Sequence, residues 1–266
     1  MPSPSAFVDS ALTSLQRLPR SSFTLPAVAL AMLAWLSTGE LHRAFALAVL
    51  ADAGLFFLPW KLPRRTWSAG KFWLESLLYL LLGSVMLALA LATGAPWVAG
   101  LGHPLWLAAA VVTGCLLAYG SGIDVRALLS GDLVELAGPD RPGYALARAT
   151  HATLGAIAEE SLFRGAVLAL HALAPATIGA TILAFVARHR LLKGVPRWSA
   201  RTLAVEIVGA ALFTGLALAS GSVVPAIAAH LTANAPYITL QMQRARLGRS
   251  RRPDRAAQRE NAHRSD

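Results

Sequence analysis

The sequence predicts an all-α protein, a polytopic membrane bundle of about eight transmembrane helices. Three observations carry that prediction. Of the 266 residues, 55% are hydrophobic and only 14% charged, with a mean hydropathy of +0.52. Those values exclude a disordered chain and point to an integral membrane protein. Apolar runs recur at roughly 17–23 residues, the length that crosses a bilayer as a helix. The basic residues behind the net charge of +10 fall between and after those runs. In a soluble protein such a balance would suggest nucleic acid. Here it fits the pattern that orients membrane helices, and no nucleic-acid partner is expected.

Residues 1–22 form a cytoplasmic N-terminal lead-in carrying Arg17 and Arg20. A weak apolar run with no small-residue cleavage site after it argues against a signal peptide. The expected helices are Phe23–Thr38, Ala44–Trp60, Phe72–Thr93, Pro104–Tyr119, Ala147–Leu173, Ala176–Leu191, Thr202–Ala219 and Val223–Met242. The first two are short for a full span and have an interfacial or re-entrant placement as their alternative. Lys61, Arg64, Arg65 and Lys71 fill the second connector; Arg188, Arg190, Lys193, Arg197 and Arg201 fill or flank the sixth. The connectors "TGAPWVAGLGH", "APAT" and "SGS" have neither Lys nor Arg. The positive-inside bias therefore places both termini in the cytoplasm, in agreement with an even helix count.

Four regions follow. After the lead-in, residues 23–146 hold the N-terminal membrane helices and a long cytoplasmic loop, 121–146, in which a short surface helix is expected. Residues 147–242 form the core that carries the chemistry. Residues 243–266 are a basic cytoplasmic tail, read as an anchor against anionic lipid. Trp60, Trp67, Trp73, Trp97 and Trp106 lie at or near helix ends and fit an interfacial belt. The single cysteine, Cys115, permits no disulfide framework and reads as packing.

The informative stretch is "AEESLFRG", residues 158–165, inside the fifth apolar run. A charge near the bilayer centre costs about 2.5–3.5 kcal/mol on insertion scales, and three occur here. Glu160 and Arg164 are four apart, share a helix face and can pair. That pairing leaves Glu159 unmatched, about 100° around the helix, as a carboxylate suited to proton transfer. In "LAFVARHRLL", Phe185 and His189 are four apart; in "VVPAIAAHLTANAPY", His230 and Asn234 are four apart. Counted from the cytoplasmic ends, Glu159 lies about 16 Å deep, and Asn234 and His230 about 12 and 18 Å. His189 is shallower. The four side chains can then line one cavity open to the cytoplasm.

A carboxylate, two imidazoles and an amide suffice for peptide hydrolysis. Glu159 takes a proton from water, His189 helps hold that water, and His230 and Asn234 donate hydrogen bonds to the oxyanion. Ser161 is a weaker nucleophile candidate, since no Gly-x-Ser-x-Gly elbow surrounds it. His-Glu-x-x-His zinc spacing is absent. A divalent metal such as zinc, held by Glu159, His189 and His230, is the alternative to a metal-free water.

Taken in order on separate helices, "EESLFRG", "FVARH" and "HLTAN" resemble the motifs of the CAAX-protease and bacteriocin-processing (CPBP, Abi-like) family of intramembrane proteases. The resemblance covers roughly residues 145–240. It implies a CAAX prenyl protease 2-like intramembrane endopeptidase, a hydrolase also described as a metalloprotease, acting on a membrane-anchored protein or peptide. It implies that Glu159 and His189 activate water and that His230 with Asn234 forms the oxyanion hole. Glu160 and Arg164 would support the site, with Phe185 packed beside it. The chain departs from the family's usual small or apolar surroundings at the second motif, where Arg188 and Arg190 flank His189. The Ala- and Arg-rich composition suits a high-GC bacterial source and a plasma-membrane location. The competing reading is a catalytically silent scaffold or helper of the same fold.

Overall fold

The computed structural model describes residues 28, 32, 39–55, 69–140, 143–170, 174–193 and 200–263. All of their regular structure is helical. The helices are α1 (Glu40–Leu55), α2 (Ala69–Ala92), α3 (Pro96–Ala99), α4 (Pro104–Gly120), α5 (Val125–Ser130), α6 (Asp132–Ala137), α7 (Tyr144–Ala169), α8 (Ala174–Lys193), α9 (Ala200–Ser220) and α10 (Val224–His263). Apart from residues 28 and 32, the expected first helix, 23–38, lies outside the described residues, as do Trp60 and Trp67. Each of the other seven expected helices has a counterpart.

Local chemistry fixes several boundaries. Pro104 opens α4 at a position that needs no N–H, and the His103 ring nitrogen accepts from the Leu105 N–H at 3.2 Å. Asp124 caps α5 by accepting from the Ala127 N–H at 3.0 Å. Gly131, at φ +90°, turns the chain between α5 and α6, a conformation that a residue with a Cβ seldom adopts. The single surface helix expected in the 121–146 loop is thus two short ones. They are tied to α10: Gln243 donates to the Leu128 carbonyl at 3.2 Å, and Arg244 pairs with Asp140 at 3.2 Å. The last helix does not stop near Met242 but runs on to His263; its arginine- and alanine-rich continuation favours helix, and neither Gly248 nor Pro253 ends it.

α7 packs between α2 and α10, while α10 also lies along α4 and α8 packs on α7 and α9. Two contacts bring backbones unusually close. A methyl group at Gly83 of α2 would overlap the Ala158 carbonyl of α7, and one at Gly114 of α4 would overlap Thr232 and the Ala229 carbonyl of α10. Small residues at helix crossings are a device of membrane bundles, where dispersion rather than apolar burial drives association. Replacing Gly83 by alanine must push α2 off α7. We expect a loss of about 1–3 kcal/mol, the usual range for overpacking, read as a lower thermal midpoint.

One core cluster joins Phe45, Met86, Leu162, Phe163 and Phe185 with Trp97. Trp97 therefore does not sit in the expected interfacial belt. It is buried, 6.0 Å from the Phe45 ring, and its carbonyl accepts from the Val223 N–H. The connector that carries it folds inward as α3, so a helix-end position did not mean a surface position. Cys115, expected as packing, lies on the exposed side of α4.

The outer surface is apolar. On α2, Leu74, Leu77, Leu81 and Val85 are each more than half exposed, and on α4 so are Leu105, Val112 and Leu116. By length and composition one described helix, Arg201–Ser220, is long and apolar enough to cross a membrane. Leu80–Ala92, Pro104–Gly120 and Pro175–Val186 are shorter apolar stretches. α7 and α8 are long enough, but α7 is interrupted by charges in mid-helix and α8 carries Arg188, Arg190 and Lys193 toward its end.

Candidate active site

The charged residues of α7 point inward. Glu160 and Arg164 are fully buried and pair at 3.0 Å, as their four-residue spacing requires. Arg164 also donates to the Ala210 carbonyl of α9 at 3.1 Å and stands over the Phe185 ring at 4.5 Å. It therefore ties α7 to both α8 and α9. Ser161 is buried and donates to the Ile157 carbonyl at 2.8 Å. Its hydroxyl is engaged in the helix, as the missing elbow anticipates.

Glu159 is not unmatched. Arg188 of α8 donates from Nη1 to Glu159 Oε1 at 2.5 Å, with Arg188 only 4% exposed. The arginine that stood out beside His189 as a departure from pattern is the partner that the carboxylate required. A buried charge needs one, and the helix-internal spacings could not supply it.

The other carboxylate oxygen faces the histidines. Glu159 Oε2 lies 3.6 Å from His189 Nε2 and 4.0 Å from His230 Nε2. Both rings are held from behind. His189 Nδ1 bonds the Phe185 carbonyl at 3.0 Å, and His230 Nδ1 bonds Glu160 Oε1 at 2.7 Å. Each Nδ1 thus donates to oxygen, and each Nε2 is turned toward Glu159. Phe213 of α9 stacks on His230 at 5.2 Å and 25°, and Phe185 packs on His189 at 4.2 Å. Asn234, one turn beyond His230, donates to the Ala152 carbonyl at 3.4 Å, which leaves the second N–H of the same amide for another acceptor.

His189, His230 and Asn234 line a common cavity of about 170 Å³ between α4, α8, α9 and α10, with Phe185, Phe213 and Glu206. Glu159, expected to line the same cavity, is not among its lining residues and reaches the site through the two rings. Glu159, His189, His230, Glu160, Arg164 and Phe185 form one contact network, with Asn234 one turn beyond His230. Sequence reasoning missed Arg188, Phe213 and Glu206. Glu206 did carry a signal, as an acidic residue within the apolar run of α9. Phe213 carried none, since an aromatic residue in a greasy helix is unremarkable in sequence.

One ligand atom from each of Glu159, His189 and His230 lies within 4.8 Å of the others. A carboxylate with two imidazoles is a zinc-type donor set. The charge does not fit, however, because the carboxylate that would neutralise a cation is already engaged by a guanidinium.

Residues 142–236 match the family model described as Rce1-like, type II CAAX prenyl endopeptidase. Over this stretch the chain is similar to the CAAX-protease family. The matched segment runs from just before α7 into the first third of α10, and every site residue named above lies within it. No curated protein and no solved structure matches the chain.

Proposed function

We propose that the chain is an intramembrane endopeptidase of the CAAX prenyl protease type, hydrolysing a peptide bond of a membrane-anchored protein or peptide with a water activated by Glu159. The observation that carries this is Glu159 Oε2 at 3.6 and 4.0 Å from two imidazole nitrogens, beside a cavity that also presents the Asn234 amide.

The chemistry follows from the atoms. A water between Glu159 Oε2 and His189 Nε2 loses a proton to the carboxylate as its oxygen attacks the scissile carbonyl carbon. The carbonyl electron pair moves onto oxygen. Glu160 accepts from His230 Nδ1–H, which favours an imidazolium whose Nε2–H donates to that oxyanion. The second Asn234 N–H donates as well. On collapse the C–N bond breaks, and the proton held by Glu159 passes to the departing amine. The arrangement of His230 between a buried carboxylate and the reacting centre parallels the logic of an acid–histidine pair.

The bilayer setting is supported by the membrane-embedded family and by the exposed leucine and valine stripes of α2 and α4, which would be unfavourable in water. In this reading eight helices span a bacterial plasma membrane, both termini are cytoplasmic, and the cavity is reached from that side.

The test is cleavage of membrane-anchored peptides by the purified protein. Asn234→Ala is expected to lower kcat by about 10²–10³-fold, the loss typical of one oxyanion donor, with the thermal midpoint nearly unchanged. No cleavage by the wild type, together with full function of His230→Ala and Asn234→Ala in cells, would favour the silent scaffold.

A further inference from the structure

Arg188 has no place in the reaction just described, yet it makes the shortest polar contact of the site. It is buried, comes from α8, and sits one residue before His189. Its Nη1 engages Glu159 Oε1, and the other carboxylate oxygen, Oε2, faces both imidazoles. Its guanidinium lies 5.9 Å over the Phe163 ring, which adds a second restraint on its position. The site around it is a donor triad whose ligand atoms lie within 4.8 Å of one another, with both imidazoles backed by an oxygen acceptor as metal-bound histidines are. Such a cluster would attract a divalent cation if its carboxylate were not already neutralised.

The geometry points to Arg188 as a positioning residue that serves as the fixed cation of the site: it orients Glu159 for proton abstraction and, by holding that carboxylate, closes the Glu159–His189–His230 triad to divalent metal. The positioning half of this rests on the endopeptidase reading. The closure half rests only on the cluster itself. A guanidinium bound through covalent attachment to α8 cannot dissociate as an ion can, so the carboxylate keeps one orientation whatever metals surround the protein. Lysine should replace it in part, since an ammonium carries the charge but not the planar fork.

The experiment uses the purified full-length protein with Arg188→Met, Arg188→Lys and Arg188→Met/His189→Ala. Cobalt(II) is the probe, read by its visible absorption. Wild type is expected to show no tetrahedral cobalt spectrum at equimolar metal. Arg188→Met is expected to take one equivalent with an apparent affinity at least ~100-fold higher, the upper end of what groups around a metal ligand set contribute, and the added His189→Ala should abolish it. In the peptide assay, Arg188→Met should lose about 10²-fold in kcat, as a displaced catalytic group does, with KM within about twofold. Arg188→Lys should regain most of that loss. Wild type binding cobalt as tightly as Arg188→Met, or Arg188→Met retaining wild-type kcat, would overturn the inference. If wild type cleaves nothing, the endopeptidase reading fails, while the cobalt result still decides whether Arg188 closes the triad.

Discussion

Replacing Glu159 by glutamine is expected to lower kcat/KM by about 10³-fold or more. Glutamine keeps the shape of the side chain and can still touch Arg188, but it cannot take a proton from water. A positioned general base is worth about 10²–10⁴-fold, and here the same oxygen also orients the water between two rings at 3.6 and 4.0 Å. The substitution acts on stability as well, because Arg188 is 4% exposed and loses its anionic partner. Removing one member of a buried pair typically costs about 3–5 kcal/mol; Glu159 retains some exposure, which places the expected loss at or below the lower end. The double variant Glu159→Gln/Arg188→Met should recover the thermal midpoint without recovering cleavage. Activity in Glu159→Gln would contradict the assignment of the base outright, and the double variant separates lost chemistry from lost fold.

The second large effect is on stability. Arg164→Met should lower unfolding free energy by about 3–5 kcal/mol, the range for breaking a buried ion pair. Arg164 and Glu160 are both fully buried, and they pair at 3.0 Å. Losing the guanidinium also removes the bond to the Ala210 carbonyl and the contact with the Phe185 ring. Glu160 would then depend on His230 alone, at 2.7 Å. Glu160→Gln/Arg164→Met should unfold at a higher temperature than Arg164→Met, because no uncompensated charge is left inside. The difference between the double variant and the sum of the singles measures the coupling. Additive singles would mean that the pair contributes no coupling energy.

Much of this arrangement could be read from spacing. The Glu160–Arg164 pair follows from a separation of four on a helix, and so does the placing of His189 one turn beyond Phe185 and of Asn234 one turn beyond His230. Those are relations within single helices, which a 3.6-residue period fixes. What escaped were relations between helices. Arg188 meets Glu159 across 29 residues of chain, and the facing of α7 and α8 that joins them depends on side-chain packing that no periodicity encodes. Phe213 and Glu206 reach the cavity for the same reason. Trp97 was misplaced because an inward-folding connector looks, in sequence, like any other helix end. The extension of α10 beyond Met242 was missed because a drop in hydropathy was read as the end of a helix, although helix propensity continues through arginine and alanine.

The four buried charges of the site sum to zero only when two helices are counted together. α7 brings two carboxylates and one guanidinium at mid-depth, and α8 brings the guanidinium that completes the balance. For a chain that enters a bilayer, these four site charges balance only when both helices are present. The two helices together are therefore the smallest unit that brings these four charges into lipid in balance, and biogenesis of this protein should hold α7 at the insertion machinery until α8 has emerged.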